Sequence, residues 1–235
     1  MVPVLDEEKA LPALVAALAR LDPQPLEVVL VDGGSGDATV ALAEAAGWRV
    51  VRSERGRGVQ INRGVEAARG EHVVVLHADT IPPRDMVRVI GDTLADGGVA
   101  LAGFTPLIRG PGGTRWGTTA HNVLKTWYAP LLFRPHLFVR GVRLLFGDHA
   151  MFFRREQFLA VGGCDPAAKV MEEADLCIRL GRLGRVKLLR RTVETSDRRI
   201  AEWGALKANW IYFKVGMLWG LGARRRLERY YPDVR

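Results

Sequence analysis

The sequence predicts an α/β protein with a mostly parallel central sheet flanked by helices, and three observations carry that prediction. Apolar, valine-rich runs of strand length occur at 26–31 and 72–76, as in strands covered by helices on both faces. Stretches of helical length alternate with them at 11–21, 38–46 and 59–68. Punctuation falls where such elements need it: Pro12 suits a first helical turn, and Gly47 and Gly70 stand where helix ends are expected. Strands joined through single helices are βαβ units, which build parallel sheets.

Shorter strands are expected at 50–53 and 99–104. The alternation breaks at Gly110-Pro111-Gly112-Gly113, a loop signal. Beyond it, strands are expected at 150–153 and 186–189, a helix at 173–183, and a tryptophan-rich helical part over 201–221 that runs into Arg224-Arg225-Arg226.

Hydrophobic residues make up 48% and charged residues 26% of the 235, which suits one large globular domain or two small ones and excludes a disordered chain. No run of eighteen apolar residues occurs, so no membrane-spanning helix is expected. The opening Met1-Val2-Pro3-Val4-Leu5-Asp6-Glu7-Glu8 has neither the basic leader nor the apolar core of a signal peptide. Cys164 and Cys177 form no CxxC pair, so no disulfide framework or zinc site is implied. A reducing, cytoplasmic setting fits.

The net charge of +8 is concentrated. Eight basic residues between 109 and 155 face only Asp148, so that segment carries +7. Its cations alternate with Trp116, Trp127, Tyr128, Phe133 and Phe138. Such a surface suits anionic lipid or a phosphorylated acceptor, and would place the protein at the inner face of a membrane. A partly buried helical region with solvated arginines is the plainer reading. A nucleic-acid role would rest on charge alone, so no nucleic acid is expected. Trp203, Trp210 and Trp219 recur at helical spacing, as core residues, as a homodimer contact or as a face lying on a membrane.

Three motifs carry chemistry. Val31-Asp32-Gly33-Gly34-Ser35-Gly36-Asp37-Ala38-Thr39 follows a strand and opens a helix, where Ser35 or Asp37 can cap. Asp32 then sits at the carboxyl end of a strand, where ligands bind in open α/β sheets. GxGxxG spacing is absent, and an ordinary strand-to-helix turn would look the same. His77-Ala78-Asp79 ends the next apolar strand. In extended chain its imidazole and carboxylate point the same way, a pair better suited to Mn²⁺ than to Mg²⁺. Met171-Glu172-Glu173-Ala174-Asp175 opens a helix. There it is either helix-start chemistry or a general base.

Taken together and in this order, the motifs resemble family 2 glycosyltransferases of the GT-A fold, over nearly the whole chain. Pro3-Val4-Leu5-Asp6-Glu7 is similar to the family's opening element, and the Asp32 motif to its VDxxSxDxT. The segment from Gly56 to Gly64 resembles the one that ends in Asn-x-Gly, and His77-Ala78-Asp79 stands where the DxD metal motif belongs. Gly147-Asp148-His149 opens an element similar to the acceptor-side GDxxxFxRR, and Glu172-Glu173 lies at the Glu-Asp pair. His77 for Asp and Glu173 for Asp are departures, and the first strand is short. The nearest subgroup carries the His-Ala-Asp variant.

The resemblance implies an inverting, metal-dependent transfer from a nucleoside diphosphate sugar, UDP- or GDP-linked. A nucleotide-binding half over 1–105 and an acceptor half over 106–200 would be followed by a helical extension, 201–235. Asp32 would contact the base, with Pro3, Leu5 and Glu7 lining the nucleotide pocket and Arg57, Gln60 and Asn62 near the ribose and diphosphate. Asp79, with His77, would hold the metal. Glu173 would be the catalytic base, with Asp175 as its rival. Gly147, Asp148, His149 and Glu172 would stand on the acceptor side, and Arg198 or Arg199 would assist the leaving group. The acceptor, lipid-linked or otherwise membrane-proximal, is not specified. A catalytically silent sugar-nucleotide-binding module is the alternative. A sugar-nucleotide pyrophosphorylase would need a glycine-rich first loop, which this opening lacks.

Overall fold

The computed structural model describes residues 1–168 and 170–222. A parallel sheet leads the chain, in the order β1 (Val2–Val4), β2 (Val29–Asp32), β3 (Arg49–Arg52). Helices α1 (Leu11–Leu18), α2 (Thr39–Ala45) and α3 (Arg57–Ala67) connect and cover these strands. The Met1 amino group donates to Val74 O at 2.7 Å and Leu76 N donates to Met1 O at 3.0 Å. Those bonds seat the start of β1 against β4 (His72–Val74) of a second sheet.

The second sheet also contains β5 (Thr80–Ile81), β6 (Val99–Gly110), β7 (Gly113–Thr114), β8 (Phe152–Arg154) and β9 (Arg185–Ser196). Its order is β4-β8-β6-β9-β5, with β7 hairpinned onto β6. Here the expectation of a mostly parallel sheet gives way to a mixed one. Only β6 with β9 runs parallel; β4 with β8, β8 with β6, β5 with β9 and β6 with β7 are antiparallel. The β7 pairing follows from Pro111 and Gly112, a turn too short for a parallel crossover.

The remaining helices are α4 (Met86–Ala95), α5 (Trp116–Phe133), α6 (Pro135–Val139), α7 (Arg155–Ala160), α8 (Glu172–Leu180), α9 (Arg198–Trp203) and α10 (Ala205–Gly220). The helical part expected over 201–221 is two helices, α9 and α10, parted at Gly204, whose φ is 81°. Arg224-Arg225-Arg226 and the rest of the extension past 222 lie outside the described residues. The strand expected at 26–31 begins only at Val29, and Leu26 is 73% exposed.

Alternation along β8 shows how the sheet divides the core. Phe152 packs on Phe104, ring centroids 5.4 Å apart, in a cluster with Leu11, Leu14 and Leu94 from α1 and α4. Phe153 points the other way and stacks on Phe158 at 4.8 Å, in a cluster with Ile61, Leu176 and Trp219 from α3, α8 and α10. The result is a sheet between two helical layers, with the end of β1 and the loop after β4 left facing one cavity.

Candidate active site

A cavity of about 780 Å³ lies at the carboxyl end of β1, bounded by the start of α3, the loop after β4, the turn at 147–149, the start of α8, and helices α5 and α10. The loops after β1 and β2 are laced together: Asp6 N donates to Ser35 Oγ at 3.0 Å, Glu7 N to Thr39 Oγ1 at 2.8 Å, and Gly36 N to Asp6 Oδ1 at 2.8 Å. Asp37 accepts from Thr39 N at 2.9 Å, closing the turn that leads into α2. These bonds fix Pro3, Leu5 and Glu7 on the cavity wall.

Asp32 is buried at the end of β2, in register with Val4, which lines the cavity. Its Oδ1 accepts from Ser35 N at 2.9 Å. Its Oδ2 has no hydrogen-bond donor, and Arg52 Nη1 stands 3.7 Å away. Gln60 lines the cavity, but its Nε2 clamps the two strand ends by donating to Val4 O at 2.7 Å and Val31 O at 2.9 Å.

Two carboxylates open on the cavity from opposite sides of the chain. Asp79 lies 3.7 Å from Arg198 Nη2, and Arg198 is held by a two-pronged bond to Glu7 with both N–O distances 2.9 Å. Glu173 Oε1 lies 3.3 Å from Arg57 Nη1, and Glu172 Oε1 lies 3.9 Å from Arg57 Nε. Both glutamates are buried. Burial first, and then the charge of Glu173, pushes the Glu172 carboxyl well above its ordinary 4.5, with Arg57 opposing.

That shift has a consequence for stability. Between pH 4.5 and the raised value the folded protein holds a proton that the unfolded chain has lost, so this pair makes stability fall as pH rises. Glu172→Gln removes the effect. The stability of Glu172→Gln relative to the wild type is expected to grow from pH 5 upward, by at most about 1.4 kcal/mol per pH unit, in paired denaturant titrations.

His77 and Asp79 line the same cavity, but not on the extended backbone expected to align them. β4 ends at Val74, and residues 77–79 form a turn rather than extended chain. The His77 ring lies instead on Gly147, where an added Cβ would stand 2.5 Å from its Nε2 and 2.8 Å from Glu173 Oε1. Gly147→Ala is therefore expected to cost about 1–3 kcal/mol in thermal unfolding and to move the His77 ring or the Glu173 carboxylate.

Asp148 accepts from Asn122 Nδ2 and lies 3.0 Å from His149 Nδ1. Burial disfavours its charged form, but the His149 ring, Lys125 and His77 outweigh it and hold the carboxyl far below the usual range. Among the described residues, three non-glycine residues have positive φ: Asp6 at 54°, Ala150 at 44° and Met171 at 66°. Each flanks a part of this site, which is where backbone strain collects when a side chain must be aimed.

Other expected site residues lie off the cavity lining, the buried Asp32 among them. Asn62 ties down the loop at 164 through Cys164, donating to its O at 2.8 Å and accepting from its N at 2.7 Å. Asp175 pairs with Arg179 at 3.1 Å. His149 is fully buried, its Nε2 3.3 Å from Thr126 Oγ1. The side chain of Arg199 lies outside the described residues. Conversely, the sequence reading missed the wall that α5 contributes. His121, Lys125 and Tyr128 share one helical face there, with His121 Nε2 3.0 Å from the Tyr128 hydroxyl and Lys125 Nζ 4.0 Å from the Phe146 ring centre. Their i, i+4, i+7 spacing was the available signal.

Known structures share this architecture. Glucosyl-3-phosphoglycerate synthase from Mycobacterium tuberculosis, in a complex with Mn²⁺, UDP and glucosyl-3-phosphoglycerate, superposes with a TM-score of 0.63 at 23% identity, over 94% of this chain and 78% of that one. Its complex with phosphoglyceric acid gives 0.65 at 23%. The fold is GT-A. Residues 1–162 match the family model of glycosyl transferase family 2, and the chain belongs to that family. Among curated relatives, glucosyl-3-phosphoglycerate synthase of Mycolicibacterium paratuberculosis is 34% identical over 113 residues, 43% of this chain and 34% of the relative. An undecaprenyl-phosphate 4-deoxy-4-formamido-L-arabinose transferase of Pseudomonas paraeruginosa is 33% identical over 102 residues, 38% of this chain and 30% of the relative. The matched segments thus span about a third of those relatives' length.

Proposed function

We propose that the protein transfers a sugar from a nucleoside diphosphate sugar, UDP- or GDP-linked, to an acceptor hydroxyl with inversion at the anomeric carbon. The observation that carries this reading is that Asp79 and Glu173, 94 residues apart in the chain, open on one cavity whose polar walls also hold Arg57 and Arg198. The donor-free buried Oδ2 of Asp32, in register with Val4 at that cavity, is suited to a nucleobase N–H. The related structures hold UDP and UDP-glucose, which supports a nucleotide-sugar donor here.

Glu173 acts as the general base. It takes the acceptor proton as the hydroxyl oxygen attacks the anomeric carbon from the side opposite the diphosphate. No covalent intermediate is formed, so one carboxylate suffices. Asp175, turned to Arg179, is not the base. Arg57 and Arg198 stabilise negative charge as the diphosphate departs. Glu172 and Gly147 shape the ground beneath Glu173, and Asp148 orients the acceptor from the turn at 147–149.

Asp79 fits a divalent cation: its partly exposed carboxylate faces the cavity, with Arg198 Nη2 3.7 Å away. Among the described residues no group of three or more acidic, histidine or cysteine side chains is placed to hold a metal alone. Asp79 would hold the metal, with His77 as a further ligand and the donor's diphosphate beside them. Mn²⁺ suits that carboxylate and imidazole set better than Mg²⁺. When bound, the metal neutralises charge on the leaving diphosphate.

The acceptor is a lipid-linked molecule. The relatives named for undecaprenyl phosphate support a lipid carrier, here one that offers a hydroxyl to Glu173, and the apolar lining that α5 and α10 give the cavity suits its chain. The test is to incubate the protein with UDP- and GDP-sugars, with and without Mn²⁺, and to measure released nucleoside diphosphate. Metal-dependent release supports transfer chemistry. Donor binding by calorimetry with no release under any condition makes the protein a silent binding module instead.

A further inference from the structure

We propose that the outward face of α5 and α10 docks on an anionic lipid bilayer. The two helices lie side by side and run in the same direction. His121 Nδ1 is 2.9 Å from Asn209 Oδ1 near their starts, and Arg134 Nη1 donates to Gly220 O at 3.4 Å at their ends. Each carries an apolar stripe to solvent. On α5 it is Leu124, Trp127 and Leu131, 59%, 44% and 49% exposed; on α10 it is Leu206, Trp210 and Phe213, 91%, 63% and 41% exposed. Soluble surfaces seldom leave so many large apolar side chains together without a partner.

Charge selects that partner. Residues 115–147 and 205–220 contain no Asp or Glu, while Arg140 and Lys207 stand exposed among them. The Arg143 guanidinium lies over the Trp127 ring at 4.5 Å and the Phe138 ring at 4.0 Å, an apolar body with a cationic rim. A second copy docked through this face by a two-fold axis would set cations against cations. An anionic headgroup layer complements the cations, and its acyl boundary takes the tryptophans and leucines. Among the described residues no helix is long and apolar enough to cross a membrane, so the contact lies along the surface.

The cavity opens on the same face. Leu132 of α5 and Phe213 of α10 both line it and are 64% and 41% exposed. The apolar chain of an acceptor can thus pass from the bilayer along Leu132 and Phe213 into the cavity that holds Glu173. This delivery rests on the transfer reading above; the docking itself does not.

The experiment is co-sedimentation of the full chain with vesicles of phosphatidylcholine alone and of phosphatidylcholine mixed with phosphatidylglycerol, over a range of salt. The protein is expected to pellet with the mixed vesicles, far less with the neutral ones, and less as salt rises. Leu131→Ser with Trp210→Ser, neither residue lining the cavity, should weaken binding by roughly tenfold or more, and Arg140→Gln by roughly fivefold, with melting temperature and UDP affinity unchanged. The proposal is overturned by wild type left in the supernatant with both vesicles, or by variants that pellet like wild type. A wild-type dimer that the double variant dissociates would overturn it in favour of a contact between copies. Sugar-nucleotide turnover measured without vesicles separates the two readings: lost docking with intact turnover removes only the docking, and docking without turnover removes only the transfer.

Discussion

Glu173→Gln is expected to slow sugar transfer by about 10²- to 10⁴-fold, the usual contribution of a positioned general base, with donor affinity kept. The amide preserves the shape of the side chain beside Gly147 and can still accept a hydrogen bond from Arg57, but it cannot take the acceptor proton. Folding should survive, because the substitution also removes the charge that pushes Glu172 upward. Saturating-donor rates together with calorimetric UDP affinity check this. Glu172→Gln is the informative control: it leaves the base in place and should reduce the rate much less. Equal losses from the two variants would mean that the pair, rather than Glu173, carries the proton transfer.

Asp79→Asn is expected to lower turnover by about 10²- to 10³-fold, the range seen when one preorganised stabiliser of developing charge is removed. It should also erase the metal dependence of UDP binding. Arg198 does not fall away with it, since Glu7 holds that guanidinium through two bonds of 2.9 Å. The loss would therefore report on the carboxylate itself. Titration of UDP affinity against Mn²⁺ and Mg²⁺ in both proteins checks it. An unchanged metal dependence in the variant would move the metal away from Asp79.

The strand-end motifs were legible because strand ends are where chain direction and side-chain position are both constrained. Asp32, Asp79 and Glu7 follow short apolar runs, and such runs were read from valines and leucines alone. The paired glutamates were legible for a related reason, as acidic residues opening a helix. What the sequence left open was direction. Glu173 and Asp175 are two positions apart on a helix, which turns about 100° per residue, so one reaches the cavity and the other turns to Arg179. Asn62 and His149 lie within convincing motifs, yet their partners are Cys164 and Thr126, far along the chain. His77 was expected to point with Asp79 on the premise of extended backbone, and the turn after Val74 removes that premise.

The mixed sheet was hidden for a different reason. A run such as Phe152-Phe153 is apolar on both faces, and the same pattern serves parallel and antiparallel strands. Helix α5 was hidden by its two apolar sides: Ala129 and Phe133 turn to the cavity while Trp127 and Leu131 turn to solvent, so its periodicity blurs into a merely aromatic, basic stretch. The same blurring concealed the His121, Lys125 and Tyr128 face.

The most direct test of the central claim is a crystal structure of the protein with UDP and Mn²⁺, using anomalous scattering to place the metal. The account predicts a peak within ligand distance of Asp79 and the diphosphate, the uracil ring hydrogen-bonded to Asp32, and Glu173 facing the open space beyond the diphosphate. A metal held away from Asp79, or a nucleotide bound outside the cavity with Glu173 facing no ligand, would contradict it.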